Sequence, residues 1–307
     1  MENQEPNIHF IQGNALSILD ELPEKIFDLI ITSPPYNLGK EYESKRTFDE
    51  YLEEQSKIIC KLIPLLSDQG SICWQIGNTL NRKTKEIVPL DFYFYKLFKE
   101  QNLFLRNRII WFFGHGYHAT SRFSGRYETI LWFTKTDKYI FNLDNVRIPS
   151  KYPGKRYFKG PNKGKLSGNP KGKNPGDVWE IIINDWDKEI WEIPNVKANH
   201  IEKTEHPCQY PIELVERCIL ALTNVDSWIL DPYAGVGSTQ LAAYKTQRNA
   251  VGIELYQKYI DIGKKRLELL KSGKLQTRPL TKPILDPSQS PLSKIPDEFK
   301  DKTNDIS

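Results

Sequence analysis

The chain has 307 residues, of which 39% are hydrophobic, 12% aromatic and 27% charged. That is enough apolar material for one large domain or two small ones, and it excludes disorder, collagen and coiled coil as whole-chain readings. Forty-three basic residues against 39 acidic leave a net charge of +4, no apolar run approaches the roughly 18 residues that span a bilayer, and residues 1–10 lack a signal-peptide pattern.

The first third alternates strand and helix patterns. Ile8–Gln12 reads as a short strand ended by Gly13-Asn14, and Leu16, Leu19 and Leu22 give 15–22 a helical spacing. Phe27–Thr32 (FDLIIT) is nearly continuous apolar sequence, the mark of a strand buried on both faces. It stops at Ser33-Pro34-Pro35-Tyr36, where two prolines forbid both helix and ladder. The spacing predicts helices over 48–66 and 90–101, and strands over 70–76, 105–113 and 128–133. From 134 to about 205 the period fades and Gly, Pro and Lys accumulate. That is too long for an ordinary connection, so it reads as an inserted functional region anchored by Trp179, Trp186 and Trp191.

Regular patterns then return. Helices are expected over 211–222, 239–246 and 256–270, with strands over 227–230 and 250–255. From 272 onward the chain is polar and Pro-punctuated, and is expected to be a mobile tail. The chain therefore divides as 1–135, 136–205, 206–271 and 272–307. Cys60, Cys73, Cys208 and Cys218 show no CxxC spacing, which fits free thiols in a reducing compartment and argues against a zinc ribbon. No metal is expected: His115 and His118 sit among glycines and read as part of a flexible loop.

Alternation of strand and helix implies an open α/β sheet, whose ligands sit beyond the carboxyl ends of the strands. Two loops stand at that edge. In 231–238, Gly235 and Gly237 let the backbone turn sharply and approach a ligand, and the following helix presents free N–H groups. No P-loop lysine and no third dinucleotide glycine accompany them. Glu254, nineteen residues after Gly235, is placed to accept both ribose hydroxyls of an adenosine; the alternative is a tight turn beside a surface Glu. In 33–36, the Ser33 hydroxyl and the carbonyls held by Pro34 and Pro35 form an acceptor-rich notch suited to an exocyclic amino group. Tyr36 adds a flat face for a base; otherwise the stretch is a rigid turn packed by a tyrosine. Residues 135–175 hold eleven Lys and Arg against two Asp, a candidate phosphate-binding surface.

Together, Ser33-Pro34-Pro35-Tyr36 and Asp231-Pro232-Tyr233-Ala234-Gly235-Val236-Gly237 resemble the catalytic (D/N/S)PP(Y/F) and cofactor DPFxGxG motifs of amino-group DNA methyltransferases that use S-adenosylmethionine. Their order resembles the permuted β class. His206-Pro207-Cys208-Gln209-Tyr210-Pro211 is similar to the family's HPxxxP element, Arg122-Phe123-Ser124 with 128–135 to the strand that ends the catalytic half, and Gly13-Asn14 to its Gly-Asp. The resemblance covers about 8–270.

It implies a circularly permuted, Rossmann-like α/β methyltransferase fold: a seven-stranded, mostly parallel sheet with one antiparallel strand, the catalytic half (1–135) before the cofactor half (206–271). It implies that Ser33 and the Pro34 carbonyl accept bonds from the target amine, that Pro35 holds the geometry and that Tyr36 stacks on an extruded base. Asn14, Pro207, Asp231, Tyr233, Gly235, Gly237 and Glu254 would surround S-adenosylmethionine, with Asp231 near its amino-acid end. Lys151, Lys155, Arg156, Lys159, Lys163, Lys165, Lys171 and Lys173 would meet DNA. Ser33 leans toward cytosine N4 over adenine N6. The implied partners are duplex DNA and a cognate restriction endonuclease, in a monomer or homodimer in a prokaryotic cytoplasm. The competing readings are a cytosine-C5 enzyme using Cys208 after Pro207, an RNA or protein amide methyltransferase, and a non-catalytic DNA-binding subunit.

Overall fold

The computed structural model describes residues 5–37, 46–81, 83–113, 118–150, 152–179, 202–206 and 208–277. In chain order the elements are β1 (Ile8–Gln12), α1 (Ala15–Ile18), β2 (Phe27–Thr32), α2 (Phe48–Leu65), β3 (Leu66–Ile76), β4 (Asn78–Leu80), β5 (Ile87–Pro89), α3 (Leu90–Glu100), β6 (Phe104–Phe112), β7 (Tyr127–Thr134), β8 (Val178–Trp179), α4 (Ile212–Leu222), β9 (Trp228–Asp231), α5 (Ser238–Lys245), β10 (Asn249–Glu254) and α6 (Gln257–Lys271). The main sheet runs β1-β10-β9-β2-β3-β7-β6-β8. Seven strands carry it, as expected, and the two-residue β8 extends its edge. Within this sheet β7 runs against its neighbours, pairing antiparallel with both β3 and β6.

The apolar run of β2 lies at the centre because it can be covered on both faces. Leu29 and Ile31 join the layer formed by α4, α5 and α6, while Phe27 and Ile30 join that of α1, α2 and α3. A register shift between Phe27 and Leu29 puts Phe27 and Ile30 on one side despite their odd spacing. Helix α2 opens on a capping box, Thr47 accepting from the Glu50 N–H while Glu50 accepts from the Thr47 N–H, which satisfies two terminal donors.

Helix α4 is buried nearly all round: Glu213, Glu216 and Arg217 are covered as well as its apolar face. Glu216 pairs with Lys245, and the Arg217 guanidinium lies 4.4 Å from the centre of the Trp179 ring. Burial pulls the pKa of Arg217 down to about 9.

Several expectations shift. Strand β1 pairs in parallel with β10, so the start of the chain packs beside a strand of 206–271, although the sequence division groups it with 1–135. Strand β3 begins four residues earlier than the 70–76 expected, its first turn of polar residues having masked the pattern. The β4–β5 hairpin was not anticipated, because strands of three residues are too short to show alternation. The boundary at 136 does not coincide with a break in packing. Ile140 N–H donates to the Gln69 carbonyl at 3.2 Å, Asn142 N–H to that of Ala221 at 2.6 Å, and Val146 and Ile148 are buried in the core. The chain leaves the main domain only after Pro149. There 155–167 folds back on itself: Tyr157 N–H donates to the Lys165 carbonyl at 3.0 Å and Ser167 N–H to that of Lys155 at 2.8 Å.

Trp179 is an anchor, paired opposite Trp111 and buried. Trp186, Trp191, Lys151, His115 and Pro207 lie outside the described residues, as does 278–307 of the expected tail. No helix among the described residues is long and apolar enough to cross a membrane.

Candidate active site

Because β2 and β9 are neighbours, the loops that follow them leave the sheet side by side. Thr32, the last residue of β2, donates its hydroxyl to Asp231 Oδ1 at 2.6 Å. The same oxygen accepts the Tyr233 N–H at 3.0 Å, and Oδ2 accepts Tyr210 Oη at 2.7 Å and Thr239 Oγ1 at 2.6 Å. Asp231 is fully buried and its carboxylate is saturated by these donors. Burial pushes its pKa up, and the four hydrogen bonds pull it back. Asp231 does not line the cleft; it lies beneath it and ties the two loops together. Sequence could not separate these roles, since an acid at a strand end reads the same whether it turns inward or outward.

Above this knot lies one cleft of about 420 Å³. Ser33, Pro34, Pro35 and Tyr36 line it from one loop and Pro232, Tyr233, Ala234, Gly235 and Val236 from the other. Asn14 and Glu254 also line it, so most of the residues picked from sequence do meet. Gly237 does not. Its φ of +77° starts α5, and a Cβ there would lie 2.7 Å from the Phe10 ring, so it is glycine for backbone shape and close packing.

Helix α2 braces both loops. Tyr51 Oη donates to the Pro35 carbonyl at 2.7 Å, and Gln55 Nε2 donates to Tyr233 Oη at 3.0 Å. Arg266, from α6, donates to the Val236 carbonyl at 2.7 Å from a buried position that lowers its pKa to about 10. None of these supports was singled out in the sequence, since each is an ordinary helix residue until the fold brings it under a loop.

At the β10 end, Glu254 Oε2 accepts the Gly235 N–H and Oε1 the Tyr256 N–H, both at 2.9 Å. With the Leu255 backbone also bonded to it, the carboxylate keeps a lone pair for a further donor. Desolvation, the largest influence, raises the pKa of Glu254. Gly235 has φ +52° and packs against His206, whose Nε2 would be 3.3 Å from an added Cβ, so the loop backbone rather than a side chain faces the space beside it. Asn14 spends its carboxamide oxygen on the Leu16 N–H at 2.9 Å, capping α1, and lines the cleft at the same time. Ile253, Leu255, Tyr256 and Tyr259 complete an apolar flank.

The other end of the cleft holds groups that sequence reasoning missed: Trp111, Phe113, Gln75 and Glu128. Tyr36 Oη is 3.3 Å from Ser33 Oγ and 3.4 Å from Glu128 Oε2. The only advance signal was Glu128 heading a strand otherwise apolar and aromatic.

The described basic residues expected to meet DNA do not line this cleft. Lys155, Arg156, Lys159, Lys163 and Lys165 are exposed on the 155–167 hairpin, whose Phe158 is 90% exposed. Lys171 and Lys173 are also exposed, and Lys171 is paired with Asp144 at 2.6 Å. Among the described residues no cluster of three or more metal-ligating side chains is assembled. Cys208, which forms no disulfide among the described residues, lies at the cleft wall.

An open mostly parallel sheet, its two central loops meeting over a cleft with a carboxylate at the end of the next strand, is the architecture of the Rossmann-like methyltransferases. The chain belongs to the DNA methylase family that embraces N6 and N4 enzymes, which matches residues 27–265. It is 43% identical over 250 residues to the type II methyltransferase M.BglII of Bacillus subtilis, a match covering 81% of this chain and 66% of that one. It is 30% identical over 264 residues to the DNA adenine methyltransferase YhdJ of Escherichia coli K12, covering 84% and 82%. In structure it is similar to the cytosine-N4-specific PvuII DNA methyltransferase, with a TM-score of 0.63 at 18% identity, covering 91% and 99%. The family uses S-adenosylmethionine.

Proposed function

We propose that this protein methylates the exocyclic N4 of cytosine within a specific duplex DNA sequence, as the modification partner of a restriction endonuclease. The observation that carries this reading is that the Ser33 loop and the Gly235 loop line a single cleft. Bound S-adenosylmethionine supplies an electrophilic methyl on a sulfonium. Glu254 would take the ribose hydroxyls, the Gly235 backbone and Tyr233 would flank the amino-acid part, and Asn14 with Ile253 and Leu255 would flank the adenine. These residues fit: acceptor lone pairs, bare backbone and an apolar flank coincide in one place.

The target nitrogen is a weak nucleophile because its lone pair is delocalised into the ring. Ser33 Oγ and the Pro34 carbonyl accept its hydrogens and disperse the positive charge that develops as it attacks. Holding nitrogen and methyl in line supplies up to about 7–11 kcal/mol of the barrier reduction. A base inside a duplex cannot reach this cleft, so it must be extruded, at a cost of a few kcal/mol. Tyr36, Trp111 and Phe113 offer rings that offset part of it.

Nucleoside mass spectrometry of DNA treated with protein and cofactor tests the assignment. N4-methylcytosine is the expected product. N6-methyladenine would leave the same site acting on the other amine, a reading favoured by the similarity to YhdJ. A 5-methylcytosine product that vanishes in Cys208→Ser would point to the covalent route, and cofactor binding without any methylated base to a non-catalytic subunit.

The exposed lysines of the 155–167 hairpin, with Phe158 at its side, suit phosphates and a groove. If about five phosphates are neutralised, log affinity should fall with log salt at a slope of about −4.5. Lys159→Ala and Lys163→Ala should each reduce that slope by about 1. A slope unchanged in both variants would remove the hairpin from the interface.

Glu254 carries a pH signature. Ribose hydroxyls need an ionised acceptor, and a raised pKa means that the carboxylate is lost earlier as pH falls. Calorimetric titration of the cofactor should show affinity weakening as pH falls, beginning above the range in which an ordinary glutamate protonates. Glu254→Gln should bind weakly with a flat profile. A wild-type affinity whose pH profile matches that of Glu254→Gln would count against the ribose contact.

A further inference from the structure

We infer that the Glu128 carboxylate, acting through the Tyr36 hydroxyl, turns the Ser33 hydroxyl proton away from the cleft so that the serine oxygen meets the target amine as a pure acceptor. This deepens the proposed function and rests on it. A serine hydroxyl is both donor and acceptor, and nothing in the Ser-Pro-Pro-Tyr turn itself decides which face it shows a ligand. A proton aimed at the amine would oppose the attack that the site is built to assist.

The direction follows from counting hydrogens along the chain of contacts. Glu128, in β7, receives Gln75 Nε2 from the adjacent β3, and its carboxylate can only accept. The Tyr36 hydroxyl, 3.4 Å from the same Oε2, has one proton and gives it to Glu128. The contact between Tyr36 Oη and Ser33 Oγ, at 3.3 Å, must then be donated by Ser33. Its proton is committed and its lone pairs are left for the cleft. Burial first, and the Glu128 charge second, push the Tyr36 phenol well above its ordinary range, so it keeps the proton that the sequence of donors requires. Serial hydrogen bonds polarise one another, so the carboxylate also makes Ser33 Oγ a better acceptor. Both separations exceed the 2.7–2.8 Å typical of O–H···O contacts, and catalytic hydrogen bonds commonly tighten when substrate binds.

The packing makes room for this line of groups. A Cβ on Gly77 would lie 3.1 Å from Glu128 Oε1 and 3.1 Å from the Tyr36 ring, so glycine lets carboxylate and phenol lie side by side. Glu128 is a positioning residue here, and the role of Tyr36 includes its hydroxyl as well as its ring.

Two substitutions and their combination test the inference. Tyr36→Phe keeps the ring and removes the link. Glu128→Gln keeps the shape and offers a donor where there was an acceptor. Single-turnover methyl transfer at saturating DNA and cofactor should fall about tenfold or more in each, and the double variant should be no slower than the worse single. Cofactor and DNA dissociation constants should stay within about twofold of wild type, which a merely structural role would not predict. Full-rate transfer by Tyr36→Phe, or a double variant whose loss is the product of the two single losses, overturns the inference. Should Glu128→Gln fail to fold, Tyr36→Phe alone decides by its rate and its binding constants. An active wild type with an unimpaired Tyr36→Phe refutes this inference alone, whereas a wild type that methylates no duplex refutes the function and the inference with it.

Discussion

Ser33→Ala is expected to slow single-turnover methyl transfer by about 10²–10³-fold, the usual effect of removing one group that meets developing charge in a water-poor site. The turn itself should survive. Pro34 and Pro35 still fix φ, and Tyr51 still grips the Pro35 carbonyl from α2. Affinity for S-adenosylmethionine should therefore change little, because the Gly235 loop and Glu254 lie at the other end of the cleft. The same separation predicts near-normal DNA binding. Rapid-quench kinetics beside a cofactor titration would check both halves. A variant that transfers at the wild-type rate would mean that the serine is only part of the turn. One that loses cofactor affinity as much as rate would mean that the loop has collapsed.

Asp231→Ala is expected to cost on the order of 4 kcal/mol of stability, since two threonine hydroxyls, a tyrosine hydroxyl and a backbone N–H would all lose their acceptor in a dry interior. For a domain of this size that corresponds to a fall in Tm of about 10 °C. Cofactor binding should fall as well, although Asp231 does not line the cleft, because Thr32 and Tyr233 would no longer be pulled toward one point. Asp231→Asn should be milder: it retains one acceptor oxygen but sets an amide donor among donors. Thermal unfolding with and without cofactor would measure both effects. Wild-type Tm and cofactor affinity in the alanine variant would show that the loops are held by other means.

Much of this architecture was legible because its signals are local. The unbroken apolar run of β2, the 3.6-residue spacing of α2 and the glycines around Val236 each carry their meaning within a few residues. The meeting of two strand-end loops was legible too, from the rule that such sheets bind ligands at one edge. What could not be read is the set of contacts made across the fold. Glu128 reaches Tyr36 only because β7 turns back along β3, and Gln55 and Arg266 reach the cofactor loop only because α2 and α6 lie on opposite faces of the sheet. The inward turn of Asp231 was hidden for the same reason: its partners Thr32 and Tyr210 are remote in the chain, and only they determine which way it faces. The strands β4 and β5 failed differently, being too short at three residues each to leave a period.

The seam between β2 and β9 joins residues that a ribosome makes far apart: Thr32 and Asp231 are 199 positions distant. Until the later strand emerges, the largely apolar β2 has one open edge, and β1 must likewise wait for β10. Nascent chains of this protein thus carry an unsatisfied, sticky ladder through most of their synthesis, a state that long-range pairing makes slow to leave. The stretch between β7 and α4 lengthens that exposure, so its length weighs on the yield of folded protein during translation independently of anything it does to DNA.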